Sequence, residues 1–542
     1  MIKYLLFFSI LIHTSAFAFE VSGKSIVVKS DDTKILTRAA EDLAYYLGTI
    51  TSGSVNVLDK VPADAKSVIV LHEDARGLKE DGFKLRSEGN RLHITGQNER
   101  GVLYGVFYFL DRYLGVKFLA AEYEYLPHFS RKELGEISDV QEPAFWYREI
   151  FFHEGDDPVF SLKNLLNGRL GHRTLKDEAE EIYTGGINTY SFTSSELLGD
   201  AFRCNGQYQY ANPRAQHKAA KALDAKLSEL DTDKECVVIL EHEDRGSVCR
   251  ESGKTASEAF LSYTTYLAKR LGKKYPHVRF YHQAYLWSRE VPPHAQKLPP
   301  NLGVHFAPIE ADFSKPLTEG ENREMWRQIK GWGKLTKDMI VWHYTVNFGG
   351  YLFPYPNIPA LAEDIRNLRQ LPFVKGLFLQ GSYETTGGDL APLRLWVFAK
   401  LLWNPEQDVD QLISEFCRYY YGKGAESVVA YIRKRRALLK RSGGALRLKT
   451  PIDTTYLSDA NLAELNAILE QGLRRVPKGT PFYEHYLALF PGIDYIRLIR
   501  GRAFRGRARV KKRFLDFLAA HPDLTHIAEG VSAENMVKVL TL

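Results

Sequence analysis

The residues with the most chemistry in their spacing lie in the run CVVILEHEDRG, Cys236 to Gly246. Five apolar residues lead directly into three carboxylates within four positions: Glu241, Glu243 and Asp244. Crowded carboxylates repel one another, so one takes up a proton at neutral pH while its neighbour stays ionised. A glycosidic bond is cleaved by such a pair. One acid protonates the leaving oxygen and one carboxylate serves as base or nucleophile. If the strand persists, Glu241 and Glu243 share a side-chain direction and Asp244 points elsewhere. An acidic loop, or a helix start before Ser257, is the alternative reading. His242-Glu243 lacks the second histidine of an HExxH zinc site, and no cysteine pair is spaced CxxC. No metal and no cofactor is therefore expected.

A strand must end where these acids begin, and the chain from 146 to 395 offers seven. They are Trp146–Phe152, Ile187–Phe192, Cys236–Leu240, Val278–Tyr285, Leu302–Pro308, Met339–Tyr344 and Val374–Gln380. Helical stretches such as Ser257–Leu271 and Leu361–Leu368 separate them. Strands alternating with helices argue for a parallel sheet, and seven over about 250 residues fit a (β/α)8-type barrel with one strand missed. No glycine-rich phosphate loop follows any strand, which disfavours an open doubly wound sheet.

In such a barrel the working residues sit at the carboxyl ends of the strands. Read in turn, those ends give Arg148 and Glu149; Glu241, His242, Glu243 and Asp244; His282 and Tyr285; Glu310 and Asp312; His343, Tyr344 and Asn347; and Gln380, Tyr383 and Glu384. Trp287 and Trp342 lie beside two of them and suit stacking on sugar faces. Glu243, Asp244 and Glu310 are the expected catalytic acids, with Glu310 reaching in from the strand near Pro308. Glu241 is the reserve. Arg148, Tyr285, Trp287, Trp342, His343, Tyr344, Asn347, Gln380 and Tyr383 are expected to bind substrate, with Glu241 among them.

The barrel is flanked on both sides. Residues 19–128 alternate strands (Lys24–Ser30, Val68–Leu71, Phe83–Arg86, Leu92–Thr95) with a helix to Leu47, capped by Asp31-Asp32, and one over Asn98–Leu114, making a small α+β domain. Polar residues 129–145, with Pro143, mark a boundary. From Leu390 only helices are expected, so 396–542 form a helical domain whose last helix spans Gly492–Ala519 and carries a basic run. Residues 1–18 combine Lys3, an apolar core from Tyr4 to Ile12 and Ala16-Phe17-Ala18, the pattern of a cleaved export signal. The expected localisation is periplasmic or secreted. No later apolar run is long enough to span a bilayer.

The 542 residues are 44% hydrophobic and 25% charged, with 30 Tyr, 30 Phe and 7 Trp. That composition excludes a disordered or collagenous chain. A net charge of +6 is too small to imply a nucleic-acid partner. Four cysteines, Cys204, Cys236, Cys249 and Cys417, allow three complete pairings. Cys204 and Cys249 both follow strands expected to be neighbours, so those two are expected within disulfide distance.

Several motifs carry a family resemblance. Glu99-Arg100-Gly101-Val102-Leu103-Tyr104-Gly105, then Phe109-Leu110 and Leu114-Gly115-Val116, resembles the N-terminal domain that precedes the barrel in α-glucuronidases and β-hexosaminidases. The run Val341–Phe348, Pro354-Tyr355-Pro356-Asn357, Gln380-Gly381-Ser382-Tyr383, Gly387-Gly388-Asp389-Leu390, Leu401–Pro405, Glu415-Phe416 and Tyr420-Tyr421-Gly422 is similar to a bacterial family catalogued as domain of unknown function 4838. By position, Asp244 and Cys249 correspond to an Asp followed by a cysteine-rich stretch in that family. The resemblance spans about residues 80–425 and implies a glycosidase-like barrel in exported, carbohydrate-related proteins. The expected partner is a carbohydrate substrate. A non-catalytic glycan-binding or envelope-associated protein on the same scaffold is the alternative, since fold does not fix function.

Overall fold

The structure is a computed structural model that describes residues 19–74, 76–169, 188–230, 235–244, 249 and 253–535. The expected export signal lies outside the described residues. The chain divides into two compact units, one of residues up to 116 with 126–142, the other of 117–125 with 143 onward.

The first unit is a six-stranded mixed sheet with two helices. Its strands run in the order Ser138–Gln141, Phe83–Glu88, Arg91–Gly96, Val68–Glu73, Ile26–Lys29 and Asn56–Leu58. Helix Lys34–Thr51 buries Leu36, Ala39, Ala40, Leu43 and Leu47, the i, i+3, i+4 stripe of an amphipathic helix. Its cap is Thr33, which accepts from Leu36 N, and not the preceding aspartates. Asn98 caps helix Glu99–Phe109 by accepting from Gly101 N. Inside the ERGVLYG motif, Arg100 is buried against Asp81, so the motif's charge serves packing here.

The second unit is built on a curled, half-barrel sheet of seven parallel strands: β1 Tyr147–Phe151, β2 Asn188–Thr193, β3 Cys236–Glu241, β4 Val278–Ala284, β5 Leu302–Phe306, β6 Met339–Tyr344 and β7 Val374–Gln380. All seven lie where the sequence pattern puts them. Their spatial order is β1-β7-β6-β5-β4-β3-β2, so β1 and β2 form the edges among the described residues. The inward face packs Tyr147, Val237, Ile239, Tyr281, Ile340 and Phe378 into a small core of its own. At the amino-terminal end, Arg279 pairs with Glu235 at 2.6 Å and Asp338 at 3.1 Å and lies over the Trp146 ring. This closes one end, and chemistry is left to the other.

The helical region follows β7, beginning with Ala391–Trp403. Two expectations need correction. The expected long last helix is two, Pro491–Ile499 and Arg507–Ala520, separated by a turn in which Gly501 and Gly506 take φ of +67° and +83°. Such angles suit glycine and stop an α-helix. The chain after Leu390 is also not purely helical, because His526–Ala528 and Val531–Ser532 form a β-hairpin. The basic run is largely paired: Arg513 with Asp494 at 2.6 Å, Arg509 with Glu470 at 3.0 Å, and Arg500 and Arg502 with Asp459 at 2.8 Å.

Cys204 and Cys249 form a disulfide with Cα atoms 5.7 Å apart, as their placement after neighbouring strands leads one to expect. Cys236 and Cys417 are buried. A bridge closing 45 residues stabilises a fold by about 2–4 kcal/mol.

Candidate active site

β3 ends at Glu241, and this decides where its acids go. Glu241 is the last inward residue of the strand, and its charge reaches Tyr285 on β4. His242 turns outward and is 3% exposed. Its ring nitrogens meet Glu243 O at 2.9 Å and Ser288 Oγ at 2.9 Å, and Trp287 lies over it at 4.1 Å. Burial pulls this imidazole down to about 4, so it is a neutral clasp between the ends of β3 and β4. Glu243 swings aside: its Oε1 accepts from Ser195 N at 3.1 Å and its carbonyl from Gln207 at 2.6 Å. Asp244 is exposed, and its charge bears on the hydroxyls of both Tyr285 and Tyr344. The strand does not persist past Glu241, so Glu241 and Glu243 do not share a side-chain direction. Glu241 and Asp244 share the Tyr285 side instead.

An aromatic shelf lies at the carboxyl ends of β4 to β7. Trp342 on β6 stacks on Tyr285 at 5.9 Å and on His305 of β5 at 5.4 Å. Its indole Nε1 donates to Gln380 Oε1 at 2.8 Å, which fixes the ring plane. Tyr383, after β7, stacks on Phe151 of β1 at 5.1 Å. Trp342 and Tyr383 are half-buried, while Tyr344 and Gln380 are nearly covered at 2% and 8% exposure. Burial and the nearby Asp244 and Glu529 charges hold the Tyr285 and Tyr344 hydroxyls well above their ordinary pKa. Both are neutral donors at physiological pH. His305 is 1% exposed, and among the described residues neither of its ring nitrogens has a hydrogen-bond partner.

The structure corrects five expected roles. Arg148 is fully buried and donates to the carbonyls of Phe145, Trp146 and Leu165, tying β1 to the chain that follows. His343 points away from the mouth, since β6 alternates and Trp342 and Tyr344 take the inward face; its Nε2 meets Asp364 of helix Ile358–Arg369 at 3.1 Å. Asn347 bonds Thr450 and Gly349 rather than facing the mouth. Trp287 packs on His242, Phe260 and Tyr210. Glu310, 48% exposed, is taken up in an ion pair with Arg289.

Two further carboxylates stand at the mouth: Glu384, found at a strand end but given no role there, and Glu529, which a reading of strand ends misses. Glu384 accepts from Tyr351 OH at 3.0 Å and Gly530 N at 3.1 Å. Glu529, in the turn of the C-terminal hairpin, pairs with Lys449 at 2.9 Å and its charge bears on the Tyr383 hydroxyl. A second overlooked acid, Glu154 after β1, accepts from Gly387 N at 2.8 Å, while its Oε2 is buried with no hydrogen-bond partner among the described residues. Burial pushes it up to about 7. The motif Gly387-Gly388-Asp389-Leu390 is structural: Asp389 is held between Arg394, at 2.9 Å, and Arg435.

Comparison with known proteins places this geometry. Residues 209–434 match the family described as Domain of unknown function (DUF4838), and residues 30–109 match the Glycosyl hydrolase family 67 N-terminus. Over 85 residues it is 35% identical to "Probable alpha-glucuronidase A" of Aspergillus terreus (strain NIH 2624 / FGSC A1156), a match covering 15% of this chain and 10% of that protein. Over 38 residues it is 58% identical to "Alpha-glucuronidase" of Hypocrea jecorina, covering 7% and 4%. These matches span a tenth or less of either curated relative. Among solved structures, a family GH115 4-O-methyl-α-glucuronidase with specificity for decorated arabinogalactans superposes with a TM-score of 0.64 at 13% identity, over 93% of this chain and 77% of that one. CpGH84B superposes at 0.51 and 13%, over 96% and 97%. At these identities the likeness is one of fold.

Proposed function

We propose that the protein is an exported glycoside hydrolase whose reaction takes place at the carboxyl-terminal mouth of the half-barrel. The observation that carries this is the arrangement of Asp244 over neutral Tyr285 and Tyr344, beside the Trp342–Gln380 shelf. A sugar ring stacks its apolar face on such a shelf, the phenols hold its hydroxyls, and a carboxylic acid at the edge supplies the leaving oxygen with a proton. Asp244 is the acid the geometry favours, with Glu241 behind it. The disulfide supports export, because such bridges persist in oxidising compartments.

A second reading has a specific observation behind it. Glu310 sits in an ion pair with Arg289 and Glu243 is held by Ser195, so two of the three expected acids are tied down, as in a glycan-binding protein. One experiment separates the two. The protein is assayed for hydrolysis of a panel of aryl glycosides and acidic oligosaccharides, uronides included because the named relatives are α-glucuronidases, and for binding of the same glycans by calorimetry. Turnover supports the hydrolase; binding without turnover on any member supports the alternative.

A further inference from the structure

The C-terminal hairpin is strapped across the ends of β6 and β7. Tyr351 N donates to Ile527 O at 2.8 Å, Thr525 Oγ1 to Glu384 O at 3.0 Å and Gly530 N to Glu384 Oε2 at 3.1 Å. Phe348, just past β6, is held on both sides: its N–H donates to Leu448 O at 2.7 Å and its carbonyl accepts from Glu529 N at 2.9 Å. Asn347 fixes the second strap through Thr450, and so sets Lys449 opposite the hairpin turn. Residues about 100 and 180 positions beyond Phe348 are thus brought to one point at the mouth. Both lie outside the stretches that match the two families.

This architecture presents one side chain inward. Glu529 is about one-third exposed, pairs with Lys449 at 2.9 Å, and its charge bears on Tyr383. The same tyrosines that feel Asp244 from the β3 side, Tyr285 and Tyr344, feel Glu529 from the β6–β7 side. Tyr351 and Tyr383 line its own side, with Glu384 beyond. The two carboxylates flank one patch of phenols above Trp342. We infer that Glu529 is the second catalytic carboxylate, the ionised partner of Asp244 across the mouth.

The inference rests on the hydrolase reading and completes it. Reacting from its protonated form, Asp244 gives its proton to the glycosidic oxygen as the bond to the anomeric carbon breaks and the electron pair stays on that oxygen. A water molecule forms the new bond to the anomeric carbon, and Glu529 takes the proton the water loses.

The test uses the full chain and whichever aryl glycoside the wild type turns over best. Glu529→Gln should lower kcat at least 10²-fold with KM changed less than threefold while its urea unfolding midpoint stays at the wild-type value, a split that a structural role for the turn would not give. Near-wild-type turnover by Glu529→Gln, or a loss of turnover matched by an equal loss of stability, overturns the inference while leaving the hydrolase reading intact. A wild type without turnover on any substrate overturns both.

Discussion

The Tyr285 and Trp342 rings stack within 13° of parallel, with centroids 5.9 Å apart, although β5 runs between their strands. They meet because β5 offers little in between. Gly303 has no side chain, and the Tyr281 ring fills the space where a Cβ would stand. His305 lies flat under Trp342 at 5.4 Å. The shelf is thus a consequence of two inward positions on one strand.

Replacing Trp342 with Ala removes the shelf and the donor to Gln380. Glycan affinity should fall about tenfold or more, from the loss of stacking area and of the fixed ring plane. Calorimetric titration of wild type and variant with the best-bound oligosaccharide checks this. Equal affinities would move the binding site elsewhere.

Glu310 should matter little. It is half-exposed and answers Arg289, and surface pairs of this kind contribute about 0–1 kcal/mol. Glu310→Gln is expected to keep turnover within about threefold and to unfold within about 0.5 kcal/mol of wild type in urea. A hundredfold loss of kcat would restore it as a catalytic acid.

The seven strands and their apolar faces were legible in the sequence because a buried parallel strand writes itself as a continuous hydrophobic run. Which face each polar residue takes was not. His343 sits one residue from Trp342, and only the register of β6 sends it outward to Asp364. Glu243 depends on the strand stopping at Glu241 rather than two residues later. Glu529 and Lys449 had no local signal at all, since their meeting depends on two long-range straps onto Phe348. The Cys204–Cys249 bridge was legible because it needed only the adjacency of β2 and β3.

Three buried histidines set the acid limit of stability. His242, His282 and His305 are pulled by burial to about 4, 3 and 3. Each stays neutral in the fold while the unfolded chain takes up a proton near pH 6.5. Their contribution is therefore complete above pH 6.5 and is lost as pH falls towards 4 and then 3, by up to about 1.4 kcal/mol per pH unit for each group. Urea unfolding at pH 7, 5.5 and 4.5 should show this decline, and His305→Phe should flatten it. A profile that is flat in wild type over that range contradicts the assignment.

Glu154 carries the opposite sign. Its carboxyl is raised to about 7, so the stability gained by holding it protonated is present below about pH 4.5 and lost as pH rises through 7. Glu154→Gln removes that loss. The melting temperature of the variant relative to wild type should be more favourable at pH 8 than at pH 5, by the equivalent of about 2 kcal/mol. The same difference at both pH values would mean that Glu154 is ionised throughout.

The most direct measurement is the single-turnover rate of Asp244→Asn on an aryl glycoside that the wild type hydrolyses, taken with a poor and with an activated leaving group. Loss of a proton donor should cost at least 10²-fold with the poor leaving group and far less with the activated one, whose oxygen leaves without protonation. Equal, near-wild-type rates of Asp244→Asn on both substrates would place the chemistry away from this mouth.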